Sequence, residues 1–178
     1  MLQKRLLTRT GIYAAAIVAG LSFGIQQVYA VGSDSPPPAS DKKKDKKKSE
    51  VIQEQRDYAK FLDGYRAARE LILAGQYEKG IAAMHALGKD DHPDVANYIG
   101  YANRKLGNYD QSKIWYEAAL KADPNHARTW SYYGMWHAEQ GNRLKAEDFL
   151  QKVKLICGNE SCTEFTQLRE VIDGSRSY

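Results

Sequence analysis

From Pro93 the chain reads PDVANYIGYANRKLGNYDQSKIWYEAALKADPNH, and from Ala127 it continues ARTWSYYGMWHAEQGNRLKAEDFLQKV to Val153. Laid one above the other, the two passages agree at a fixed offset: Gly100 and Gly134 are 34 residues apart, and so are Gly107 and Gly141. Leu106-Gly107-Asn108-Tyr109 answers Gln140-Gly141-Asn142, and Tyr116, Ala119, Leu120 and Pro124 pace the first passage as Ala146, Leu150 and Val153 pace the second. A period of this size marks stacked supersecondary units, none of which buries its apolar face alone. Gly107 and Gly141 read as helix ends, where a left-handed backbone favours glycine. Gly100 and Gly134 fall mid-helix, at a cost of about 1 kcal/mol against alanine, which predicts a neighbouring helix packed too close for a side chain. Pro93 and Pro124 precede the next helix, where a missing N–H is no loss.

Trp130-x-x-Tyr133-Gly134-x-x-His137 in the second copy, with Ser112, Tyr116, Ala119 and Pro124 in the first, resembles the tetratricopeptide repeat. The resemblance covers roughly Phe61 to Val153 and implies an all-α solenoid of helix-turn-helix units that binds other proteins. Working outward, Gly75-Gln76-Tyr77 echoes Gly107-Asn108-Tyr109 at a distance of 32 residues, so a degenerate unit precedes the pair. Tyr58, Phe61, Leu62, Tyr65, Ala68, Leu71 and Ile72 recur at helical spacing before it. Three units are expected, about 61–92, 93–126 and 127–156, within a domain of 51–178. Ser161-Cys162-Thr163-Glu164 matches a capping box, and Phe165, Leu168, Val171 and Ile172 then share one face, which predicts a cap helix over about 161–174.

The chain begins differently. Lys4, Arg5 and Arg9 precede an apolar run from Gly11 to Ile25, and Val28-Tyr29-Ala30 supplies small residues at a cleavage site. This is the pattern of a secretory signal peptide over 1–30, cut after Ala30, which sends the chain to the periplasm or beyond. The 15-residue apolar run is shorter than the roughly 20 a spanning helix needs, which argues against a permanent inner-membrane anchor. Residues 31–50 read as a disordered linker, with prolines at 36–38 and then Lys42, Lys43, Lys44, Lys46, Lys47 and Lys48. Either this is a solvated spacer or its lysines touch anionic lipid headgroups.

The basic balance resides in these leading segments. Of 26 basic and 22 acidic residues in the chain, 17 and 18 fall in Val51–Tyr178, so the repeat domain is near neutral and lacks the footprint of a nucleic-acid binder. Catalytic signatures are missing too: there is no His-Glu-x-x-His, no Gly-x-Ser-x-Gly and no phosphate-cradling loop. Neither an enzyme nor a cofactor is expected, and the four histidines read as packing or solvated groups. Cys157 and Cys162, the two cysteines, flank the turn before the cap helix and read as a disulfide in an exported chain, since two thiols cannot fill a zinc sphere.

Binding remains. In the superhelix the resemblance implies, the first helix of each unit lines a concave groove. The matching positions are Tyr65 and Arg69 in the first unit, Asn97, Tyr101, Arg104 and Lys105 in the second, and Arg128, Ser131, Met135 and Glu139 in the third. Tyrosines, an asparagine and several cations suit an extended peptide with acidic groups. A carboxylate clamp of the co-chaperone type is not supported, because Tyr65, Arg69, Tyr98 and Tyr132 stand where its other residues would be. The sequence thus points to a protein–protein adaptor of the cell envelope, with a membrane-surface protein tethered by its lysines as the alternative.

Overall fold

The turns set the architecture. Gly107 and Gly141 adopt φ of 79° and 76°. Behind each the same long hydrogen bond closes, from Asn108 N to Asn103 O at 2.9 Å and from Asn142 N to His137 O at 2.8 Å. This is the Schellman helix stop. In the computed structural model, which describes residues 40–176, these stops cut the chain into seven helices: α1 (Ser40–Leu73), α2 (Tyr77–His85), α3 (Pro93–Lys105), α4 (Tyr109–Ala122), α5 (Ala127–Glu139), α6 (Arg143–Cys157) and α7 (Thr163–Ile172). No strand occurs among the described residues.

Successive helices pair as α1/α2, α3/α4 and α5/α6, and each pair leans on the next. The odd-numbered helices also touch one another, α1 to α3, α3 to α5 and α5 to α7, so they form the inner layer. The α3/α4 pair closes on a bare backbone, as its sequence predicts: a Cβ on Gly100 would lie 2.8 Å from the Tyr116 ring. Pro93 opens α3, with His92 as its N-cap accepting from the Asp94 N–H at 3.2 Å.

Two apolar clusters fill the interior. Ala68, Ile72, Met84, Val95, Tyr98, Ile99 and Ala102 form one, from the first unit and α3. Tyr116, Tyr133, Met135, Ala146, Phe149, Leu150, Val153, Phe165, Leu168 and Ile172 form the other. The boundary therefore runs through the second unit, between α3 and α4, rather than between units.

The C-terminal helix packs on α5 and α6, in the place where the first helix of a fourth unit would stand. Cys157 and Cys162 are joined in a disulfide across the turn that leads into it. Its start differs from the expected capping box. The N-cap is Cys162, without a side-chain hydrogen bond, and Ser161 Oγ turns instead to Asn159 Oδ1 at 2.9 Å. Ser161 N donates to the same Asn159 Oδ1 at 2.9 Å, so an Asx turn stands where the capping box was expected.

The other difference lies at the front. The expected signal segment and the proline stretch fall outside the described residues. Ser40–Glu50, expected as part of a disordered linker, is instead the first third of α1. No proline follows Pro38 until Pro93, and lysine and glutamate are good helix formers, so nothing stops α1 from running back through the lysines. No helix among the described residues is long and apolar enough to cross a membrane. Trp130 is partly buried against the second cluster: its ring stands edge-on to Phe149 at 4.9 Å and its Nε1 donates to Pro124 O at 2.8 Å.

Candidate concave binding face

A ladder of tyrosines crosses the inner layer. Tyr65 on α1 meets the ring of Tyr98 on α3 at 6.0 Å, Tyr98 meets Tyr101 at 6.4 Å, and Tyr101 meets Tyr132 on α5 at 5.2 Å. Tyr77, at the start of α2, stands edge-on to Tyr101 at 6.5 Å. Helical geometry explains the row: Tyr98 and Tyr101 are three apart on one face of α3, and Tyr132 repeats Tyr98 one period later. Tyr98 is the floor, 2% exposed, while Tyr65, Tyr101 and Tyr132 are half-buried. Burial pushes the phenols of Tyr65, Tyr101 and Tyr132 upward in pKa, with Asp94 adding to the effect at Tyr65. All three are therefore neutral hydroxyl groups at physiological pH.

Cations lie against this row. Arg69 donates from Nε to the Tyr98 hydroxyl at 2.7 Å, and its guanidinium sits 5.7 Å from that ring. Arg128 sits over the same ring at 5.9 Å while its Nη1 donates to Asp94 Oδ1 at 2.9 Å. Asp94 also takes a contact from His126 Nε2 at 3.3 Å. The His126 hydrogen bond, ahead of the charges of His126 and Arg128, holds the Asp94 carboxyl below its ordinary pKa against the opposing effect of burial.

The structure divides the expected groove residues. Tyr65, Arg69, Tyr101 and Arg128 come together on one face, and Lys105 stays half-buried at the end of α3. Asn97, Arg104, Ser131 and Met135 do not present themselves to a partner there. Asn97 is fully buried, and its Oδ1 accepts from Thr129 Oγ1 at 3.1 Å, bolting α3 to α5. Arg104, 3% exposed, donates from Nη1 to Tyr132 O at 2.8 Å and lies 3.6 Å from Glu139 Oε2. Burial raises the Glu139 pKa in spite of that neighbour. Ser131 donates to Glu164 O at 2.7 Å, and Met135, 2% exposed, shares a cluster with Phe165 and Leu168. In short, α7 covers the third unit's share of the groove.

Tyr98, Tyr132 and Asp94 belong to the same face, and the groove assignment left them out. The recurrence of Tyr98 at Tyr132 was the available signal, since an aromatic at both repeat positions and three residues before Tyr101 extends the same stripe. Of the other histidines, His137 stacks on Tyr133 at 4.8 Å, where burial lowers its pKa, and the exposed His85 contacts Asp90 Oδ2 at 2.9 Å. Away from this face, an open cleft of about 720 Å³ lies between α1 and the α2–α3 turn, lined by Glu54, Asp57, Tyr58, Phe61, Asp91 and His92 among others.

Comparison with known proteins agrees with this geometry. Residues 93–126 match the family model described as Tetratricopeptide repeat. The chain is 30% identical over 86 residues to the uncharacterized protein ycf37 of Guillardia theta, an alignment covering 46% of this chain and 48% of that protein. The chain thus spans about half the length of the curated relative it matches. The fold is also that of the Yersinia enterocolitica type III secretion translocator chaperone SycD, solved in complex with a peptide of the translocator YopD. That match has a TM-score of 0.55 at 19% identity, covering 65% of this chain and 88% of the other. The first TPR of Spaghetti (RPAP3), solved bound to the HSP90 peptide SRMEEVD, superposes with a TM-score of 0.54 at 15% identity, covering 67% and 95%. With residues 93–126 matched outright and the same helix pair standing on either side of them, the chain carries a tetratricopeptide repeat within a fold of the tetratricopeptide kind.

Proposed function

We propose that this protein is a non-catalytic adaptor that holds an extended segment of another protein on the face between α1, α3 and α5. The observation that carries this is the tyrosine row with Arg69 and Arg128 lying on it. Half-buried neutral phenols give flat contact area and hydroxyl groups at small entropic cost, and guanidinium groups beside them pair with carboxylates. The occupant is therefore an extended peptide carrying acidic and apolar side chains. Two proteins of the same fold, SycD and RPAP3, have been solved with bound peptides, which supports a peptide as the occupant.

The adaptor works in the cell envelope, exported by residues 1–30 with cleavage after Ala30. The Cys157–Cys162 bond supports an oxidising compartment. The test must spare the fold, so Arg104, which is buried between α3 and α5, is left in place. Arg69→Ala with Tyr101→Ala should abolish co-purification of a partner from envelope extract and weaken binding of an acidic test peptide at least about tenfold, the loss expected from one charge-assisted contact. The circular dichroism spectrum should stay unchanged. Undiminished capture by the double variant would overturn the assignment of this face.

A further inference from the structure

The first half of α1 takes no part in the binding face. Every side chain described between Lys44 and Lys60 is exposed, and the run ahead of the cleft, 40–53, about 14 residues or roughly 21 Å of helix, projects from the body. A helix that packs on nothing is weakly held in water, because most helical stability in proteins comes from tertiary packing. This one also opens with lysines four apart, at 42 and 46, 43 and 47, and 44 and 48, a spacing that weakens a helix by repulsion. Yet it carries Val51, Ile52 and Tyr58 in the open, at 46%, 38% and 61% exposure.

Its charge is segregated along its length. Six lysines and two aspartates fill positions 41–48, a net of +4, whereas Glu50, Glu54 and Asp57 follow with Arg56 and Lys60, a net of −1 over 49–60, and Asp91 lines the cleft with Tyr58. Positions 44, 47, 51, 54 and 58 are spaced alternately three and four apart, so they form one stripe, and Lys48, four from Lys44 and three from Val51, flanks it. That stripe is basic at one end, apolar at its middle and acidic with an aromatic at the other.

Such a stripe is complementary to itself in reverse. We propose that two copies of this chain pair through these projections, antiparallel, about a two-fold axis at Val51. In that register Val51 meets its own copy, Lys48 lies opposite Glu54 of the second copy, and Lys44 lies opposite Tyr58 and beside Asp57 of the second copy. The first turn of each helix then reaches the mouth of the other's cleft, at Phe61. The arrangement closes on itself, as a two-fold contact must. It gives Lys44 and Lys48 carboxylate neighbours and covers the exposed valine and tyrosine, and it leaves both tyrosine faces open for their own guests. The pairing rests on exposed charges, so the dimer is sensitive to salt.

The experiment is a charge swap read by sedimentation velocity on the chain as recovered from expression. At low salt and rising concentration the wild type should reach the mass of two chains, and it should return toward one at high salt. Lys44→Glu, Lys47→Glu and Lys48→Glu together should give a monomer, and so should Glu54→Lys with Asp57→Lys, both with helix content intact. Mixing the two reversed chains should restore the two-chain mass, because each acid then faces a lysine again. A wild type that stays monomeric up to the hundred-micromolar range overturns the proposal, as does a mixture that fails to recombine. Lysine-dependent pelleting of a monomeric wild type with anionic phosphatidylserine vesicles would also overturn it, and would assign the projection to lipid.

Discussion

The contact between α3 and α5 and the contact between α5 and α7 are the same joint one unit apart, yet they are built from different chemistry. At the first, Asn97 reaches Thr129, Asp94 reaches Arg128, and Tyr101 and Tyr132 stand side by side with edges in solvent. At the second, Phe165, Leu168 and Ile172 press Met135 out of sight, and a Cβ on Gly134 would fall 2.7 Å from Leu168. A polar, aromatic joint leaves a face that a guest can use. The apolar joint ends the stack. The lesson is that a repeat position has no fixed role: Tyr101 and Met135 are 34 residues apart, and what covers each one decides whether it binds or packs.

The harshest way to break this contrast is to remove the anchor of the closed joint. Phe165→Ala should destabilise the domain by about 3–5 kcal/mol, the usual cost of truncating a buried aromatic. Hydrogen exchange should then rise along α5 around Met135 while the α1–α2 pair stays protected. Reducing the Cys157–Cys162 bond acts on the same joint more gently. Closing so short a loop contributes about 2 kcal/mol by chain entropy, so reduction should lower the melting temperature and loosen α7 first. On the open joint, Thr129→Val removes the hydroxyl that donates to Asn97 and should cost about 1 kcal/mol, since it strips a buried amide oxygen of its partner. Urea denaturation of each variant orders the three.

The contrast also explains what could be read ahead of the coordinates. Period, turn glycines and the apolar faces of α3 to α7 were all legible, because each is a local rule: Gly107 must turn left-handed, and Phe165, Leu168 and Ile172 must share a stripe. The groove was legible only by halves. Periodicity places Ser131 and Met135 on the inner layer correctly, but it cannot tell that α7 will lie across them, because that is a contact between elements rather than a pattern within one. Asn97 and Arg104 were misread for a related reason. A polar side chain on an inner face serves a guest or the neighbouring helix equally well on paper, and the distance to Thr129 or to the Tyr132 carbonyl settles it. Lysine-rich sequence misled at the front, where self-repulsion argued for an open chain and helix propensity prevailed.

The mildest test separates the two joints by acid. Asp94 has its pKa held below the ordinary carboxylate value, first by the His126 hydrogen bond and then by the charges of His126 and Arg128. Its unfolded value is about 3.9. A group depressed in the folded state binds its proton more readily when unfolded, so its stabilisation is complete above roughly pH 4 and drains away as the pH falls through the lower folded value. Arg128 is partly exposed, so the effect is modest and shrinks with added salt. Phe165, Leu168 and Ile172 at the other joint do not titrate. Between pH 5 and pH 3 the melting temperature of Asp94→Asn should therefore fall less than that of the wild type, and the two should converge at the acid end. Exchange should open α3 against α5 before it opens α5 against α7. If the variant tracks the wild type throughout, Asp94 is a bystander and the open joint rests on Asn97 and the tyrosines alone.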